Sequence, residues 1–220
     1  MGGVRLVELQ PLAVTAARQM AAGLCGRRQL HPEIMEALIS KGLPDGRPAC
    51  GSPLWLELAI QELLSLDPDD FGRAGELPGE TPEQKMHALL LDVVRRLHPV
   101  VESEYGAMFE RAGEIHGAAW GAGFARLIGI GRAGWCESDL RVLLPRVTGQ
   151  TRAAQRFAAL RRSFRAHLAQ RGDQAQWDFS RAQARQAVPA RYLVDPGRCR
   201  EVHQVLAEHF EATSPEDNLR

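Results

Sequence analysis

Cys50-Gly51-Ser52-Pro53-Leu54-Trp55-Leu56-Glu57-Leu58 reads as a turn that opens an apolar helix. Ser52 is a good N-cap, and Pro53 falls at the first helical position, where a missing N–H costs nothing. From Leu54 to Leu66 the only strongly polar residues are Glu57, Gln61 and Glu62. A helix that is apolar almost all round is covered by neighbours on most sides. The stretch therefore predicts a mainly α fold, with a helical bundle built around this segment.

Outward from that helix the pattern stays helical. Val14 to Leu24 predicts a helix, and His31-Pro32-Glu33 starts another with Ile34, Met35, Leu38 and Ile39 on one side. Lys41 to Gly51 is a loop. Val4 to Leu9 alternates like a short strand and stops at Pro11. Downstream, Asp67 to Pro82 is rich in Gly, Pro and acid and predicts an irregular connector. Thr81-Pro82-Glu83-Gln84 is a capping box, and Met86, Leu89, Leu90, Val93, Val94 and Leu97 follow on one helical stripe. Glu102 to His116 is helical again.

The C-terminal half changes character. Ala118 to Ile130 is apolar and glycine-rich, Glu137 to Leu144 predicts a short helix, and Arg152 to Gln170 a longer one. Gln176 to Phe179 predicts a strand, and Arg191 to Val194 a short strand or turn. A last helix puts Val202, Val205, Leu206 and Phe210 on one face. Helices with one or two short late strands fit a winged-helix-like domain, though many small α folds would also fit.

Composition narrows the function classes. The 220 residues are 45% hydrophobic, enough for one large core or two small ones, and the formal net charge is zero, so bulk charge calls for no acidic partner. Only Lys41 and Lys85 are lysines among 27 basic residues, which with abundant Ala and Gly fits a GC-rich genome. Cys25, Cys50, Cys136 and Cys199 lie far apart without a secretory leader before them, as a reducing cytoplasm would have it. No apolar run approaches the roughly 20 residues of a membrane span.

Several segments, in order, resemble the STAND class of signalling ATPases, the group that includes the NACHT and NB-ARC proteins. Leu6-Val7-Glu8-Leu9-Gln10-Pro11-Leu12 is similar to the last strand of that family's nucleotide-binding core and the entry to its helical lid. Gly51-Ser52-Pro53 is similar to its Gly-x-Pro turn. Glu104-Tyr105-Gly106-Ala107-Met108-Phe109-Glu110-Arg111 resembles the helix leading into its winged helix, and Ile130 to Leu140 resembles the following "s-R-x-G-L-x-E-x-E-L" segment. Trp177-Asp178-Phe179-Ser180-Arg181, Ala187-Val188, Arg191-Tyr192 and His203 to Phe210 resemble its closing pattern.

The resemblance implies a remnant core strand over 1–10, a helical lid over 11–112 with an irregular linker about 67–81, a winged-helix-like domain over 113–212, and a flexible tail over 213–220. It also implies nucleotide contacts at Gly51 and Pro53, whose ring would lie against adenine. Arg181 stands where the family has a phosphate-reading histidine, and an arginine is always charged and forks differently. No Gly-x-x-x-x-Gly-Lys-Ser/Thr loop occurs in the sequence, and by the resemblance the metal-holding acidic strand is expected upstream of residue 1. The expectation is a cytoplasmic, non-catalytic regulatory fragment without a cofactor of its own; ATP or ADP with Mg would belong to a full-length parent. Its partners would be the parent's nucleotide-binding domain and C-terminal sensor repeats, with self-association also in view.

Other chemistry is less well supported. Gly129-Ile130-Gly131-Arg132-Ala133-Gly134 spells a dinucleotide fingerprint, but no acid lies between Asp139 and Asp173 to hold a ribose. It reads instead as a glycine-rich helix end. Arg141 to Gly172 holds eight arginines and no acid, with Phe157, Leu160, Phe164 and Leu168 forming a stripe opposed by Arg152, Arg156, Arg162 and Arg165. That face suits either solvent or an acidic intramolecular neighbour, or a DNA groove if the chain is a small winged-helix regulator. A helical protein-interaction module, such as a toxin–immunity component, is a third reading. His203 and His209 fall on different helical faces, not on one metal, and no catalytic trio stands out.

Overall fold

The computed structural model describes residues 10–66, 68–150, 154–173 and 175–213. It is mainly helical with one small antiparallel sheet, and its contacts divide it into two compact units, with the chain passing from one to the other between Glu104 and Tyr105. The Val4 to Leu9 strand lies outside the described residues, as do the tail from residue 214 and the sites of Arg152 and Asp67.

The first unit is a helical bundle. α1 (Val14–Cys25), α2 (Pro32–Ile39) and α3 (Pro53–Leu64) precede α4 (Pro68–Ala74) and α5 (Pro82–Arg96). α3 starts as its sequence predicts: Ser52 Oγ accepts from Trp55 N at 3.3 Å, with Pro53 in the first turn. α5 has the full capping box, with Thr81 Oγ1 accepting from Gln84 N at 3.3 Å and Gln84 Oε1 accepting from Thr81 N at 3.2 Å. The core gathers Ala17, Ile34, Leu38, Trp55, Leu56, Ile60 and Val94, each nearly or wholly buried. Trp55 Nε1 donates to His98 O at 2.7 Å, which ties the apolar helix to the chain beyond α5. α4 corrects the expected connector over 67–81. Its proline sits in the first turn, and Arg73 bonds Asp70 at 3.1 Å and reaches Asp92 of α5 at 3.5 Å. Gly and Pro dominate the composition there, yet packing against α5 supports a short helix.

The second unit takes in most of α6 (Val101–His116), then α7 (Ala118–Ile130), α8 (Glu137–Thr148) and α9 (Ala154–Ser163). β1 (Leu168–Arg171) and β2 (Gln176–Phe179) form a hairpin, followed by α10 (Ala182–Tyr192) and α11 (Pro196–Thr213). Leu168 faces Phe179 and Arg171 faces Gln176 in the hairpin register. Trp135, between α7 and α8, adds a single bridge to Trp177 of β2, with N···O distances of 3.0 and 2.8 Å. Helix, bridge strand, helix, helix and hairpin follow one another in the order of a winged helix. Phe109, Phe124, Phe164 and Phe179 form its aromatic centre, with ring centroids 5.2–5.5 Å apart.

Three expectations are corrected here. The helix expected over Arg152 to Gln170 stops at Ser163, because the chain turns through Arg165–His167 to enter β1. Its apolar stripe is nevertheless buried, Phe157, Leu160, Phe164 and Leu168 all being 8% exposed or less. Arg191 and Tyr192 end α10 and form neither strand nor turn, since the helix runs through Pro189. α8 likewise runs past Leu144 through Pro145 and ends on Gly149 in the left-handed region. On α11, Val202 and Leu206 are buried but Phe210 is half exposed, its ring stacked on Trp135 at 6.0 Å.

Candidate functional site

The site begins with a crossing of two segments. Leu12 N donates to Gly51 O at 2.9 Å, and a Cβ on Gly51 would come within 3.1 Å of Pro11 Cβ. Glycine is therefore suited to position 51 by close approach. Residues Ala49–Gly51 form a 3-10 turn, and Cys50 is fully buried inside it, its Sγ 3.4 Å from Ile39 O. Burial pushes the Cys50 thiol up from its usual range, which favours the protonated thiol. Ser52 leaves the turn extended, and Pro53 stands exposed at the start of α3. A buried, hydrogen-bonded base thus presents a proline ring outward.

Behind the turn, polar groups fix the framework. Lys41 Nζ donates to Val94 O at 2.9 Å and Arg95 O at 2.7 Å, satisfying carbonyls at the end of α5. Burial holds the Lys41 ammonium below its usual pKa, while buried Glu104 acts in the opposite direction. Glu104 Oε2 accepts from His98 N at 2.7 Å. These contacts hold the loop between α2 and α3 against the end of α5.

In the second unit Arg181 is the N-cap of α10, exposed and two residues beyond β2. The buried acid nearby is Asp178. Its Oδ1 accepts from Phe179 N at 2.7 Å and from the Arg185 guanidinium, and Arg171 Nε lies 3.6 Å from Oδ2. Arg185 also donates to Gly129 O at 2.8 Å and Gly131 O at 2.6 Å. Sequence reasoning missed Arg185. Its two duties, carbonyl clamp and counter-ion, come from elements far apart in the chain and leave no local pattern.

The arginine face is divided. Arg152 lies outside the described residues, as does the Arg156 side chain, while Arg162 and Arg165 are exposed. Arg165 sits on the turn after α9, so no continuous helical face spans 152–170. Several other arginines are held internally: Arg161 pairs with Glu137 and lies over Trp177 at 5.3 Å, Arg146 bonds Glu208 at 2.6 Å, and Arg191 pairs with Glu110. Arg141 also bonds Glu137 at 2.6 Å, and the two guanidiniums hold that carboxyl below its usual pKa.

The fingerprint Gly129–Gly134 is packing. It begins in the last turn of a helix, α7, and a Cβ at Gly129 would strike Val188 Cγ1 at 2.7 Å. Of the two C-terminal histidines, His209 is buried 3.3 Å from Asp139 Oδ1, and His203 is exposed. Among the described residues no helix is long and apolar enough to cross a membrane. No family model, no curated protein and no solved structure matches the chain.

Proposed function

We propose that this chain is a non-catalytic regulatory piece of a STAND-type signalling ATPase. Its helical lid and winged helix would respond to the state of a nucleotide and thereby set oligomerisation. The observation that carries the reading is the Leu12–Gly51 crossing. The two segments that resemble the family's lid entry and its Gly-x-Pro turn are joined by a backbone hydrogen bond and a close glycine contact. An exposed Pro53 on a rigid base suits an apolar contact with a purine ring. Support also comes from the helix, bridge, helix, helix, hairpin order after Tyr105. By the same resemblance Arg181 would meet the phosphates. The Mg-ATP-binding residues would belong to a nucleotide-binding domain that acts as the lid's partner, in the cytoplasm.

A purine contact without phosphate contacts supplies only a few kcal/mol, so the chain alone binds ADP in the millimolar range or worse. The test is a titration of the ¹⁵N-labelled chain with ADP, with a DNA duplex in a parallel series. ADP is expected to move the amides of Leu12, Gly51, Ser52 and Trp55. An ADP titration that leaves these amides still overturns the reading. Salt-sensitive DNA shifts at Arg162 and Arg165 would favour the winged-helix DNA regulator instead.

A further inference from the structure

We propose that His31, Glu33 and His87 form a binding site for a divalent transition metal of the zinc class, joining α2 to α5. Each offers one ligand atom, and these atoms all lie within 4.8 Å of one another. Two imidazoles and a carboxylate are the donor set that zinc-like ions take, with water or another group completing the shell. Chelation needs donors from rigid elements, and this set has them. His31 caps α2, Glu33 lies in its first turn, and His87 lies just past the first turn of α5.

The present contacts resemble a site held by a proton. His87 Nε2 donates to Glu33 Oε2 at 2.9 Å, so the proton stands where a cation would be shared. Metal–ligand bonds of about 2.0–2.1 Å put neighbouring tetrahedral ligands about 3.4 Å apart. The His87–Glu33 pair must open slightly, its proton shifting to Nδ1, and His31 must close in. Small side-chain rotations suffice, since His31 and Glu33 are exposed. The competing duty of His31 is slight: its Nδ1 accepts from Glu33 N at a long 3.3 Å. The two imidazoles already meet edge to face, 4.4 Å between centroids.

Electrostatics are mixed. The N-termini of α2 and α5 are positive ends and oppose a cation. Glu33 and Glu83 offset them, and hydrogen bonds hold the Glu83 carboxyl below its usual pKa, so it stays ionised. Both histidines and Glu83 border a cavity of about 790 Å³ whose walls include Leu30, Ile34, Met86 and Leu90. An ion at the triad would therefore keep its open position toward an apolar cleft, as ligand-exchanging sites do.

The experiment uses the full chain after chelator treatment, titrated with Co²⁺ followed by visible absorption and with Zn²⁺ followed by calorimetry. Stoichiometric binding, nitrogen- and oxygen-type cobalt bands and a raised melting temperature are expected. His87→Gln and Glu33→Gln should each weaken binding at least tenfold, about what loss of a supporting group alone can cost. Circular dichroism of both variants checks that the fold is kept. Absence of binding overturns the proposal, as do thiolate-to-cobalt charge-transfer bands or an affinity unchanged in His87→Gln.

Discussion

Replacing Gly134 by Ala should destabilise the winged-helix unit by roughly 2–5 kcal/mol. Gly134 has φ +84°, where an L-residue costs about 1–2 kcal/mol. A Cβ there would also lie 2.5 Å from Trp177 O and 2.9 Å from Trp177 C. Those atoms are backbone, held by the Trp135–Trp177 bridge, so they cannot rotate aside as a side chain would. Overpacking of this kind adds roughly 1–3 kcal/mol. Gly149→Ala is the matched control: φ is +67°, but nothing lies within 4 Å of the added carbon. It should cost only the conformational part, about 1–2 kcal/mol. Urea unfolding monitored by tryptophan fluorescence reports the right unit, because Trp120, Trp135 and Trp177 belong to it and only Trp55 to the other. The two units can unfold in separate steps, so the comparison is made on the transition these tryptophans sense. If Gly134→Ala costs no more than Gly149→Ala, the clash with the bridge is absent and the bridge does not position Trp135.

Buried His167 should make stability fall on acidification. Desolvation lowers its pKa from 6.5 to about 4, so between those values the unfolded chain binds a proton that the native state refuses. Stability is full above about 6.5 and declines toward pH 4, by roughly 3 kcal/mol. His116, also lowered by burial, adds in the same direction. Melting scans at stepped pH should slope across that window and flatten in His167→Gln; an equal slope in both proteins refutes the assignment. Arg185→Met leaves Asp178 buried without its strongest partner and should cost about 3 kcal/mol in denaturant melts, with Arg185→Lys failing to restore it because lysine cannot clamp both carbonyls and the carboxylate. Purified chain should release no phosphate from ATP or GTP; turnover that survives repurification contradicts a non-catalytic role.

Local signals were legible where one short segment carried the physics. The Thr81–Gln84 capping box, the Ser52 cap before Pro53 and the strand Gln176–Phe179 all stand as their residues predict. What was hidden depends on distant partners. α4 forms from a Gly-, Pro- and acid-rich stretch because α5 is there to pack against. Pro145 and Pro189 look like helix stops, yet both helices continue. Leu143 and Leu144 are fully buried, and Thr148 Oγ1 donates to Leu144 O at 2.8 Å to close the last turn of α8. In α10, Val188 is fully buried beside Gly129 of α7. The Arg152 to Gln170 pattern hid its break because Leu168 continues the apolar spacing while belonging to a strand. Of the candidate site, Gly51 and Pro53 were legible as a turn, but the meeting of Gly51 with Leu12 was not.

By the proposed function, Pro53 would face an adenine ring. Intermolecular NOEs between the adenine H2 and H8 protons of millimolar ADP and the ring protons of Pro53 measure that contact directly. Cross-peaks to the Pro53 ring are predicted, and the ADP-induced shift of the Gly51 amide should shrink when Pro53 is replaced by Ala. Cross-peaks to other residues, with none to Pro53, would contradict the proposed nucleotide contact.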